Sequence, residues 1–171
     1  MLIQIQNTST EDIPAIFSLY DEAIQYQKQV GNNYWLGFEM ALIEKEINEN
    51  RHFKVLLNGG IGSTFIITLH DKLIWKTSQD CEAVYIHRIA TAHSCRGNDL
   101  LKNIIEWAKA YAKQHCLSFI RMDTGSGNER LINYYSRCGF TIIDTNTKVD
   151  YTPDLPAHYE NGVFTLLEMA V

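Results

Sequence analysis

Hydrophobic and polar positions along the chain recur in two rhythms. Residues 2–6 alternate apolar and polar, the period of a strand. Ser9 stands three positions before Asp12, an arrangement that starts helices. Ile13, Ile16, Phe17, Tyr20 and Ile24 then repeat at helical spacing until Gly31-Asn32-Asn33 breaks the pattern. Leu36, Met40, Ile43 and Ile47 predict a second helix, with Glu44, Lys45, Glu46 and Glu49 on its solvated face. Residues 53–57 and 61–69 are strand-like, and Asn58-Gly59-Gly60 between them predicts a tight hairpin, because Asn-Gly tolerates positive φ. Residues 70–81 are polar and irregular. A strand over 82–91, a helix over 99–115, a strand over 117–123, a helix over 128–137 and a strand over 140–144 follow. Residues 145–160 read as a loop holding Pro153 and Pro156, and 163–169 as a last strand.

The predicted order is βααβββαβαββ. Late strands separated by helices imply parallel crossovers beside an antiparallel hairpin region. The fold class is therefore α/β, with a mixed sheet flanked by helices, and 171 residues suggest one domain. Composition sharpens this: 46% hydrophobic and 20% charged residues support a real core. A net charge of −5 without a Lys/Arg cluster argues against nucleic acid as a partner. No run of about 18 apolar residues predicts a membrane span. The first twenty residues lack the basic start and apolar run of a secretory signal. A cytoplasmic location, without membrane association, is the expectation. Cys81, Cys95, Cys116 and Cys138 form no Cys-x-x-Cys pair, so free, at least half-buried thiols and no metal site are expected.

Candidate chemistry concentrates in two stretches. In the first, a strand ends, Arg96-Gly97 turns the chain, and a helix starts near Asp99. Leu100, Ile104 and Tyr111, with Leu101, Ile105, Ala108 and Ala112 beside them, form a wide apolar stripe that docks the helix on a sheet. Its first turn presents free N–H groups, which together with Arg96 suit an anion such as pyrophosphate. In the second, a strand ends in Asp123, and a Gly125-Ser126-Gly127 loop leads to Asn128, a good N-cap. Leu131, Tyr134, Tyr135 and Cys138 share one stripe, and Gly139 closes the helix before Phe140.

Together these stretches resemble the acetyl-CoA-binding half of GNAT acetyltransferases. The matching residues are Tyr85 to Ala90, Arg96 to Leu101, Asn128 and Tyr135-Ser136-Arg137-Cys138-Gly139-Phe140. The resemblance covers residues 82–144, and the flanking elements fit the family's order. It implies an N-acetyltransferase using acetyl-CoA as co-substrate and a small-molecule or peptide amine as acceptor. It also implies that backbone groups at Ile89, Ala90 and Thr91 pair with the pantetheine arm in a gap between two splayed strands. Main-chain N–H groups of Gly97, Asn98, Asp99, Leu100, Leu101 and Lys102 would hold the pyrophosphate beside Arg96. Asn128 would reach the pantetheine, and Tyr135 would protonate the leaving thiolate.

The turn departs from the family pattern, since Asp99 and Leu101 fill its two glycine positions. Backbone donors survive such changes, but glycine's close approach and unusual φ are lost. Asp99 also brings a negative charge, and as an N-cap its carboxylate would occupy the helix N–H groups; Lys102 offsets it if it folds back. A non-catalytic binding module on the same fold is thus an alternative reading. A flavin- or nucleotide-binding protein is not supported, because no Gly-x-Gly-x-x-Gly or Gly-x-x-x-x-Gly-Lys-Ser/Thr turn is present.

Glu82, His87 and Asp123 are candidate proton acceptors. Glu82 and His87 differ in parity and face opposite sides of an unbroken strand. His87 has a near-neutral intrinsic pKa that suits proton transfer; its ordinary role is a hydrogen-bonded sheet histidine. The resemblance implies that the first two helices, the 70–81 loop and the late loop set acceptor specificity; Trp35, Trp75 and Asp123 are the candidate acceptor-site residues, and Tyr34, His158 and Tyr159 also lie in those regions. Clustered together, the two tryptophans would form an aromatic wall. The final strand offers an edge for homodimer pairing if it lies outermost.

Overall fold

The computed structural model describes residues 2–31, 33–76 and 82–171. Strands β1 (Ile3–Asn7), β2 (His52–Leu57), β3 (Gly60–Thr68), β4 (Ala83–Thr91), β5 (Phe119–Gly125), β6 (Thr141–Lys148) and β7 (Val163–Ala170) build one sheet in the order β1-β2-β3-β4-β5-β7-β6. Only β4 and β5 run parallel; every other neighbouring pair is antiparallel. Helices α1 (Ile13–Gln29), α2 (Met40–Asn48), α3 (Lys72–Trp75), α4 (Leu100–Gln114) and α5 (Glu129–Arg137) complete the mixed α/β fold.

Local chemistry explains the elements. The Ser9 N–H donates to the Asp12 carboxylate at 2.8 Å, closing the turn that leads into α1. Asn58 and Gly59 take φ of 52° and 89°, the two positive values a tight hairpin between β2 and β3 demands. Helix α4 buries Leu100, Leu101, Ile104, Ile105, Ala108 and Ala112 against the sheet, as its stripe predicts. Asn128 caps α5 by accepting from the Leu131 N–H at 3.2 Å.

Both faces of the sheet are covered. Val84, Ile86, Ile120, Met122 and Leu167 pack under α4 and α5. On the opposite face Ile16 and Tyr20 of α1 and Ile43 of α2 lie in a core with Ala90. A third cluster, Trp75, Tyr85, Tyr159, Phe164 and Leu166, continues that face towards β7. Ile16 and Ile43 are fully buried, so each contributes about 2 kcal/mol to docking its helix.

Five expectations change. Part of the irregular 70–81 stretch is a one-turn helix, α3, while Cys81 lies outside the described residues. Strand β6 runs on to Lys148, into the expected loop, because β7 supplies a pairing partner as far as Lys148↔Val163. The last strand is no edge: β7 sits between β5 and β6, so the outer strands are β1 and β6. Glu46 is not on a solvated face but 2% exposed. It follows Ile43 by three positions and precedes Ile47, which puts it on the helix's inward side. Of the thiols, Cys95 and Cys138 are half-buried as expected, whereas Cys116 is exposed. Among the described residues, no helix is long and apolar enough to cross a membrane.

Candidate active site

Parallel pairing of β4 with β5 ends at Ile86↔Met122. Beyond it β4 follows β3 to Thr91, while β5 follows β7 to Gly125. The two strands therefore part, leaving His87 to Thr91 opposite Asp123 to Gly125 without a ladder between them. Ile89, Ala90 and Thr91 lie on this open stretch, where strand backbone is available to an extended ligand. Two surface grooves, one against Trp107 and Tyr111 and one against Tyr26 and Arg96, are lined by other residues than those at this parting.

At the end of β4 a short turn leads into α4. Gly97 and Asp99 both hold left-handed φ, 84° and 53°. Asp99 thus keeps the conformation for which glycine is favoured, at the cost of some backbone strain. Its carboxylate does not cap the helix, contrary to expectation; it pairs with Lys102 Nζ at 2.7 Å. A left-handed N-cap points the side chain away from the helix N–H groups and leaves them to other acceptors. The Lys102 N–H is already bonded to the Asp99 carbonyl at 2.9 Å. Asn98 braces the turn by donating from Nδ2 to the Cys95 carbonyl, and Arg96 lies 4.1 Å over the Tyr26 ring. Leu100 and Leu101 turn their side chains into the core, so only their backbone faces the turn.

The wedge mouth carries a buried polar cluster. His87 has Nδ1 3.2 Å from Asp123 Oδ1 and Nε2 3.2 Å from Asp71 Oδ2. Neither carboxylate oxygen is squarely aligned for a hydrogen bond, so these are close charge pairs. Burial opposes charging of His87, but contact with Asp123 and Asp71 outweighs it and lifts the ring pKa to about 10. Tyr159 donates to Asp123 Oδ2 at 2.8 Å. Asp71, His87 and Asp123 lie close enough for one atom of each to reach a single ion. With the ring protonated, the three groups form a charged clamp; a cation bound among them would displace that proton.

Tyr135 is buried where α5 meets the sheet, and burial, then the charge of Asp123, raise its phenol pKa. The proton stays on the oxygen at neutral pH.

The two tryptophans do not form one wall. Trp35 packs on Tyr20, Phe38 and His158, whereas Trp75 packs on Tyr85 and under the Arg121 guanidinium. Three participants went unrecognised in the sequence: Asp71 in a stretch without pattern, Arg88, and Glu46. Glu46 alone carried a usable sign, a charge interrupting an apolar stripe. Arg88 carried none, since a regular strand would turn it away from His87.

Comparison with known proteins finds relatives of the matched segment and of the fold. Residues 72–140 match the model of the acetyltransferase (GNAT) family. A stretch of 57 residues is 37% identical to streptothricin acetyltransferase of Escherichia coli, covering 33% of each chain. The chain thus spans about a third of that relative's length. An uncharacterized N-acetyltransferase, YesJ of Bacillus subtilis, is 22% identical over 78% of each chain. The crystal structure of a GNAT-family acetyltransferase from Listeria monocytogenes superposes with a TM-score of 0.75 at 22% identity, covering 99% of this chain and 95% of that one. The matched segment is similar to the acetyltransferase (GNAT) family, and the fold is that of solved GNAT-family acetyltransferases.

Proposed function

We propose that the protein is an N-acetyltransferase that moves the acetyl group of acetyl-CoA to a primary amine. The observation that carries this reading is the parting of β4 and β5 after Ile86↔Met122. One opening there serves both the strand backbone and the α4 turn on one side and the Asp123 cluster on the other. Backbone of Ile89, Ala90 and Thr91 suits the amide-bearing pantetheine. The turn from Arg96 to Lys102 suits the pyrophosphate, through N–H groups and the Arg96 charge. Pairing with Lys102 offsets the Asp99 charge, which removes part of the ground for a non-catalytic module.

In the reaction the amine nitrogen attacks the thioester carbonyl. A C–N bond forms and the C–S bond breaks. The amine's surplus proton leaves to a carboxylate, for which Asp123 is the candidate, and the departing thiolate takes a proton from Tyr135. His87, charged and held by two carboxylates, fits a positioning and charge-balancing part better than that of a base. The chain's main contribution is alignment of the reactants.

Titration calorimetry with acetyl-CoA tests the reading: saturable heat is expected, and none at millimolar ligand rejects it. Tyr135→Phe should lower kcat by roughly 100-fold or more with little change in KM, the usual scale of a lost general acid. Unchanged turnover removes Tyr135 from that role.

A further inference from the structure

Arg88 has φ of +50° in the middle of the central strand, at the point where the β3–β4 register slips between Thr64 and Ile66. A bulge at this place has a definite effect. Ala83, Tyr85 and His87 share one face of β4; after the slip Arg88 and Ala90 share it too. Two consecutive cationic side chains therefore face the same side. Arg88 lies 4.7 Å over the Phe38 ring and is ion-paired through Nη2 with Glu46 of α2. Both side chains are more than nine-tenths buried, yet Arg88 Nη1 and Glu46 Oε2 have no hydrogen-bond partner. Buried orphans of this kind are costly, and a ligand that reaches them would recover part of that cost.

This pair adjoins the clamp at the wedge mouth. Phe38 lies 6.1 Å from His158, His158 stacks on Tyr159 at 4.5 Å, and Tyr159 donates to Asp123. The charge of His87 acts on Glu46, and that of Arg88 acts on His158 and Tyr159. His158 Nδ1, Asp71 Oδ2 and Asp123 Oδ1 are further buried atoms without a hydrogen bond. Trp35 packs beside Phe38 and His158, so aromatic rings flank these groups on the side of the helices.

We infer that this cluster seats the acceptor and selects a compact cationic amine whose second polar group is neutral, such as an α-amino amide, over the same amine bearing a carboxylate. The charges give the direction. Asp71 and Asp123 against His87 leave one net negative charge, which favours an ammonium group. Glu46 already neutralises Arg88, so the pair offers one free donor and one free acceptor, not a free cation. An amide satisfies both; a carboxylate satisfies the donor and meets Glu46 with like charge. Aromatic faces of Trp35, Phe38 and Tyr159 favour the cation further.

The proposal rests on the N-acetyltransferase reading only in calling the ligand an acceptor, so the test measures binding. Leucinamide and leucine, identical but for the carboxyl group, are titrated calorimetrically into the wild-type protein. The amide should bind at least about tenfold more tightly, the scale of one uncompensated like-charge contact. Equal or tighter binding of leucine, or no saturable binding of either, overturns the proposal. Glu46→Gln should raise leucine affinity by about tenfold by freeing the Arg88 charge. An unchanged preference in a folded Glu46→Gln protein overturns the part assigned to the Arg88–Glu46 pair. Acetyl-CoA is titrated alongside: loss of that binding with the amide preference intact would reject the transferase reading and leave this one standing.

Discussion

Asp99 shows how a single residue can break a local rule and keep its function open. Its left-handed φ costs about 1 kcal/mol relative to glycine, softened because Asp tolerates this region better than most residues. Lys102 holds its carboxylate at 2.7 Å, away from the N–H groups of α4. Replacing Asp99 by glycine should leave the melting temperature unchanged or slightly higher. It should also tighten acetyl-CoA severalfold, since a negative charge is removed beside an anion site. Asp99→Ala keeps the strain without the tolerant side chain and should destabilise by about 1 kcal/mol, measured by urea unfolding. Weaker acetyl-CoA binding to the glycine variant would show that the phosphates do not approach this turn.

At the scale of elements, α5 and β4 have different determinants. Helix α5 is marked at both ends, by Asn128 and by Gly139 with φ of 104°. Asn128→Ala should cost about 1 kcal/mol through loss of the cap. If the Asn128 amide also reaches the pantetheine, acetyl-CoA affinity falls by more than the stability change explains; an unchanged affinity limits Asn128 to capping. Helix α4 was readable because six apolar side chains fall on one stripe. The bulge in β4 was not. Nothing in Tyr85-Ile86-His87-Arg88-Ile89-Ala90 predicts that Arg88 takes a positive φ, and the strain is sustained by contacts from elsewhere: Glu46 on α2, Tyr20 on α1 and Phe38.

For the whole molecule, buried His52 and half-buried His87 and His158 set opposing pH dependences. His87 is lifted from 6.5 to about 10, so its contribution is complete below pH 6.5 and is lost as pH rises towards 10. His52 sits between the Tyr20 hydroxyl at 3.0 Å and the Thr8 hydroxyl at 2.9 Å. Burial lowers it to about 4, and burial does the same to His158. Their contributions are complete above pH 6.5 and are lost as pH falls towards 4. Stability should therefore peak near pH 6.5. Melting temperatures recorded from pH 4 to 10 check this, and His87→Gln should flatten the alkaline limb while leaving the acid limb in place. An alkaline limb identical to wild type would show that His87 is not charged in the folded protein.

The sequence by itself determined the order of elements apart from α3, the stripes that dock α1 and α4, the hairpin at Asn58-Gly59, and the strand–turn–helix frame around Arg96 and Tyr135. These are local properties: periodicity, capping and turn chemistry act over a few residues. The tertiary structure alone decided the face on which Arg88 emerges, the burial of Glu46, the meeting of Asp71, His87 and Asp123, and the inner position of β7. Each joins residues on separate elements or depends on a register slip, and spacing within one element carries no information about either.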